Sequence, residues 1–226
     1  TSIVGIEDFV SLTHFYCYNN QLTNIDITSN VRLKSFFCYD NQITSLDLTQ
    51  NTALNWLYIY NNQLTTIEFT QNINYPLVGL RCQNNLLTSL NLSHFVNFRT
   101  FNCSNNQLTS LNVANGINHV YNQFVTSGNP NLNCITVDNN VWSSNNWTNI
   151  DTTTSFANDC HSGETYVPDD NFENYLETHN AQGTIVPFGD ITSMGNQIAN
   201  DNYVTTASIN TVTNLDVSSK NIAYLN

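Results

Sequence analysis

Residues 10–30 read VSLTHFYCYNNQLTNIDITSN, residues 31–51 read VRLKSFFCYDNQITSLDLTQN, and residues 52–72 read TALNWLYIYNNQLTTIEFTQN. Laid under one another, the three agree at a fixed period of 21. A period of this size means a stack of equal coils, each burying its apolar side only against its neighbours. The pattern continues outward. Residues 73–95 repeat it with a two-residue insertion around Pro76, residues 96–116 return to 21, and residues 117–140 form a degenerate sixth unit.

Each unit has two halves. The first is Leu-x-x-φ-x-Cys-x-x-Asn-x-Leu, seen as Leu12, Phe15, Cys17, Asn20 and Leu22. The second is φ-x-φ-x-x-Asn, seen as Ile25, Ile27 and Asn30. Alternation places Phe15 and Cys17 on the inner face of a short strand. Asn20, Asn41, Asn62, Asn85 and Asn106 fall in one column. An amide there can satisfy turn backbone in its own coil and in the next, so the column reads as structural.

This pattern resembles the leucine-rich-repeat family. More narrowly, it is similar to the short Asn- and Cys-containing repeats of secreted Bacteroidetes-type surface proteins. The resemblance implies a mainly β repeat solenoid, with an array over 1–140, a C-terminal cap over 141–160 and an N-terminal-type cap over 161–226. Cys17, Cys38, Cys82 and Cys103 share one slot, which holds Ile59 in the third unit. They read as buried thiols acting as small hydrophobes. Adjacent strands lie about 4.8 Å apart, but side chains in a ladder run parallel, which is poor disulfide geometry. Cys134 and Cys160 stand outside the ladder and flank a segment that looks like the family's C-terminal cap. A disulfide between them is expected to fasten that cap, and with it an oxidising, extracellular setting.

The remaining 66 residues leave the repeat. YVPDDNFENYLETHN predicts a short helix starting at Pro168 and Asp169, with Phe172, Tyr175 and Leu176 as its apolar stripe. VTNLDVSSKNIAYL then returns to the pattern of a first repeat, as does the N-terminal cap in the related proteins. The order is therefore rotated, and two arrangements fit it. One is a period of a longer tandem chain. The other is head-to-tail capping of one copy by the next, which gives an open filament if it does not close.

Function is expected on the surface of the stack. Between the core positions, His14, Tyr16, Tyr18, Ser35, Phe37, Tyr39, Trp56, Tyr58 and Tyr60 point out on the concave side. A contiguous aromatic sheet of this kind marks a binding surface for glycan or protein, or else it only stiffens the strands. Asp26, Asp47 and Glu68 form an outward row that is either a solvated face or a set of carboxylates of the kind Ca²⁺ takes. No other cofactor is expected. The net charge of −12, with five Lys+Arg, excludes a nucleic-acid partner. No apolar run approaches eighteen residues, so no membrane insertion is expected. His14, His94, His119, His161 and His179 have no metal-ligand spacing, and there is no nucleophile elbow or phosphate loop. The chain is not expected to be an enzyme.

Overall fold

The computed structural model describes residues 2–70, 75–161, 163–167, 170–198, 203–210, 212–213 and 215–223, with backbone only for Thr165 and Tyr166. The expected helix start at Pro168 and Asp169 lies outside the described residues. The chain divides into two compact units, Thr1–Cys160 and His161–Asn226.

The first unit is a parallel β-solenoid. Its front sheet has six strands in the order His14–Tyr16, Ser35–Phe37, Trp56–Tyr58, Gly79–Arg81, Thr100–Asn102 and Gln123–Val125. The register is strict, so Phe15, Phe36, Leu57, Leu80, Phe101 and Phe124 lie in one inward row. Strands of three residues are long enough because each contributes one side chain to a core that neighbouring coils complete. Phe36, Leu57, Leu80 and Phe101 are fully buried. The Cys slot forms the adjacent row, and all four of its cysteines are buried free thiols. Burial raises their pKa, that of Cys17 to about 12, so the ladder is inert and apolar.

A second row of strands closes each coil. Ser45–Asp47 pairs with Thr66–Glu68, and Ser89–Asn91, Ser110–Asn112, Cys134–Thr136 and Ser155–Ala157 form a separate four-stranded sheet. The row breaks at the coil that carries the insertion. There the fully buried Tyr75 donates its hydroxyl to the Asn51 carbonyl at 2.9 Å. Asn51 serves Asn30 in the same way at 3.1 Å, so Tyr75 takes over the work of an amide where the period slips.

The ladder asparagines explain why the coils keep their spacing. Asn62 donates to the carbonyls of Cys38 and Ile59 at 3.0 and 3.1 Å and accepts the Ile43 N–H at 3.0 Å. It therefore joins two coils. Asn41, Asn85 and Asn106 repeat the arrangement. The residue before each is left-handed: Asn19, Asp40, Asn61, Asn84 and Asn105 have φ of 53–56°. Asn and Asp tolerate that conformation better than other side chains. Asn129 continues the column in the sixth coil, preceded by Gly128 at φ 79°. The column read from sequence stopped at Asn106, although the step from Asn106 to Asn129 equals the step from Asn62 to Asn85.

The far end of the solenoid is closed by residues 138–160. Cys134 and Cys160 form the expected disulfide. The helix Asn140–Asn146 leads to Trp147, which lies flat on Phe124 at 3.8 Å and is 6% exposed. The Asp151 carboxylate accepts the N–H groups of Gly128 and Asn129 at 2.8 and 2.6 Å.

The second unit pairs Glu164–Tyr166 antiparallel with Tyr203–Thr205. The helix Asp170–Glu177 packs Tyr175 and Leu176 into a small core with Val167, Met194 and Val204, and Phe172 packs against it. The buried Glu177 carboxylate accepts the Gln197 N–H at 2.9 Å. A Cβ on Gly195 would collide with that carboxylate, so a larger residue there has to displace it.

Candidate functional site

The front sheet carries the candidate surface, and its geometry follows from strand register. Residues opposite each other on parallel strands sit one strand spacing apart, close enough for rings to stack. Tyr16, Phe37 and Tyr58 form one column, with centroids 4.8 and 4.4 Å apart. Tyr18, Tyr39 and Tyr60 form a second, at 4.5 and 4.4 Å and nearly parallel. These six of the seven aromatic residues expected at the site are thus brought together in two stacks. The seventh, Trp56, meets Tyr58 at 80° and lies outside both columns. Its six-membered ring occupies the space above Gly79, where a Cβ would fall 2.6 Å from it. His14 stands edge-on to Tyr16 at the margin.

This packing determines what the surface offers. Within each column the ring faces between neighbours are taken up by one another, and ring edges and hydroxyls are left to face outward. Tyr16, Tyr18 and Trp56 remain 52%, 41% and 36% exposed. Desolvation and the neighbouring Tyr60 and Tyr18 raise the pKa of Tyr39, so its hydroxyl is a neutral hydrogen-bond donor.

Arg81 ends the first column. Its guanidinium carbon lies 5.1 Å from the Tyr58 ring centroid, a cation–π contact. Arg81 was not singled out from the sequence. The signal was its position one coil after Tyr58, in the same register as Tyr16 and Phe37.

The outward acid row has a local role. Asp26 Oδ1 accepts both the N–H and the hydroxyl of Thr28, at 3.0 and 2.7 Å, and Asp47 does the same with Thr49 at 2.8 and 2.7 Å. These hydrogen bonds lower the pKa of both carboxyls. Asn91 accepts from Ser93 in the same way, so the position makes a turn whether or not it carries charge. Among the described residues, no three His, Cys, Asp or Glu side chains are grouped to hold a metal ion. No helix among them is long and apolar enough to cross a membrane.

No family model matches the chain, and no curated relative matches it. Among solved structures it is similar to one described as the functional domain of InlJ from Listeria monocytogenes, which includes a cysteine ladder. Identity is 25% and the TM-score 0.51, over 60% of this chain and 33% of that one, so this chain spans about a third of the neighbour's length. Four of the six cysteines here form a ladder too, in one slot of four of the first five coils. The chain is a leucine-rich-repeat-like β-solenoid of stacked coils, closed at one end by a disulfide-bonded cap.

Proposed function

We propose that this chain is a non-catalytic structural and adhesive module of an extracellular surface protein of the short bacterial repeat type. Copies of it follow one another head to tail, in tandem or as a filament. The observation that carries the adhesive part is the front face. It is a stiff sheet with two outward aromatic columns, Trp56 and Arg81. Aromatic residues and Arg are enriched in contact surfaces, and a register-locked sheet holds them in place without further ordering cost. Solenoids of this type are typically scaffolds for binding, and the Cys134–Cys160 bond suits an oxidising, extracellular compartment.

A second observation supports head-to-tail repetition. Leu215 and Val217, followed by left-handed Ser219 at φ 58° and then Ile222, match the spacing of Phe15, Cys17, left-handed Asn19 at φ 53° and Leu22. The second unit thus contains a segment with the spacing of an array half-coil, with Lys220 where the array has its ladder asparagine. The test is the mass of the native polypeptide under denaturing, reducing conditions, together with light scattering of the isolated 25.5 kDa chain. A mass several-fold larger, or association that grows with concentration, is expected. A 25.5 kDa polypeptide that stays monomeric at every concentration would overturn the head-to-tail reading. The same front face also supports an alternative, a ligand- or glycan-binding accessory domain of a larger secreted enzyme. A catalytic domain encoded beside a single array would favour that alternative.

A further inference from the structure

The chain has 17 acids against five Lys+Arg, yet no Asp or Glu occupies an outward position of the front-sheet strands in the first five coils. Arg81 is the one Lys or Arg among those positions. It is half-buried against the end of an aromatic column. Its Nε is buried without an acceptor, and among the described residues it makes no ion pair. Asn102, opposite it on the next strand, uses its Oδ1 on the N–H and hydroxyl of Ser104. Two positions along from Arg81, the Gln83 Oε1 is buried without a donor. A fixed cation therefore stands among uncharged outward positions of the front sheet, without an ion-pair partner among the described residues. Partial desolvation strengthens its attraction for an anion.

The nature of the anion follows from the rest of the face. A protein partner needs free apolar area or a pocket for its central residues. Beside Arg81 the Tyr58 ring is covered on one face by Phe37 and on the other by the guanidinium, and the open outer faces of Tyr16 and Tyr18 lie at the opposite end of the columns. What remains near Arg81 is tyrosine hydroxyls, uncharged amides and the indole of Trp56, and these match a ligand rich in hydroxyl groups. We infer that the front face binds an anionic glycan, with Arg81 pairing with a sugar carboxylate. In this assignment the Tyr58 and Tyr60 hydroxyls bond to sugar hydroxyls, and Trp56 packs against a sugar ring. The inference rests on the adhesive reading above and names its ligand class.

Native affinity electrophoresis tests it, with polygalacturonate, alginate or hyaluronan in the gel and neutral galactan and dextran sulfate as controls. The expected result is retardation by at least one uronate polymer and none by galactan. Retardation should be suppressed by salt, weakened at least tenfold by Arg81→Gln, and unchanged by Arg32→Gln, which removes an exposed cation elsewhere. Equal retardation by galactan would overturn the role of the carboxylate and leave glycan adhesion standing. Equal retardation by dextran sulfate would reduce the effect to unspecific charge and overturn the assignment. No retardation by any uronate polymer, or an Arg81→Gln variant that binds as well as the parent, would overturn the inference and leave the head-to-tail reading untouched. Circular dichroism and melting of Arg81→Gln identical to the parent would assign its loss of binding to the missing guanidinium.

Discussion

The middle of the array and its closed end solve one problem with different side chains. In the middle, the N–H groups of the left-handed residue and of the ladder asparagine donate to carbonyls of the next coil. Asp40 donates to Tyr60 and Asn41 to Asn61, at 3.1 and 3.2 Å. The inner carbonyls and one further N–H of each turn go to an asparagine amide. An amide suits that place because it donates and accepts at once. At the far end the equivalent N–H groups, those of Gly128 and Asn129, have no further coil to receive them. Asp151 receives both. Only acceptors are wanted there, and a carboxylate is acceptor-only. Asp138 does the same for the N–H groups of Gly116 and Asn118, at 2.9 and 3.1 Å. Propagation of the stack thus requires an amide, and termination requires an acid.

Exchanging the two residues should break each site in its own way. Asn62→Asp puts a buried acid against the carbonyls of Cys38, Ile59 and Tyr60, with no N–H left to donate to them. The expected cost is about 4 kcal/mol or more, read from urea unfolding. A variant as stable as the parent would show that the amide is not what joins the coils. Replacing Cys134 and Cys160 by Ser tests whether the cap is held by covalency or by its hydrogen bonds. The loss should be about 3 kcal/mol for a loop of this length, with the front-sheet circular dichroism retained. Asp151→Asn leaves one of two N–H groups facing an amide donor, and about 2 kcal/mol is expected. A neutral result there would refute the rule that ends want acceptors only.

The smallest effect belongs to the back turns. Asp47→Asn should change stability at neutral pH by less than about 0.5 kcal/mol, because Asn91 makes the same turn. The sign of the pH effect is definite. The folded-state pKa of Asp47 is lowered, so its contribution is present above the unfolded carboxylate pKa and is lost as pH falls through the folded one. The variant should therefore lose slightly less stability than the parent on acidification, as followed by melting temperature in the acid range.

Much of this was legible in the residues. Phe15, Cys17 and Leu22, with their equivalents, gave the inward rows, because a side chain's side of a strand follows from alternation alone. The Asn20-to-Asn106 column could be read because its partners recur at the same spacing in each coil. The disulfide came from a family likeness. Asn129 was missed where the sixth unit is degenerate, although Gly128 before it marks the same left-handed turn. Asp151 was not singled out from the sequence, because its partners lie 22 and 23 residues away across the cap. The seven aromatic positions were named together, yet nothing in their spacing said that six would stack face to face while Trp56 would lie over Gly79.

The sequence by itself determined the coil, its period and the residues that face inward, because these depend on local geometry repeated identically from turn to turn. The tertiary structure decided the remainder. Neighbouring rings on the front sheet stack on one another, Asp26 and Asp47 close their own turns, Arg81 is left without an ion-pair partner among the described residues, and an aspartate ends the ladder. Each of these depends on which rotamers meet across coils and on which backbone groups lack a next coil, and a repeating pattern carries no record of either.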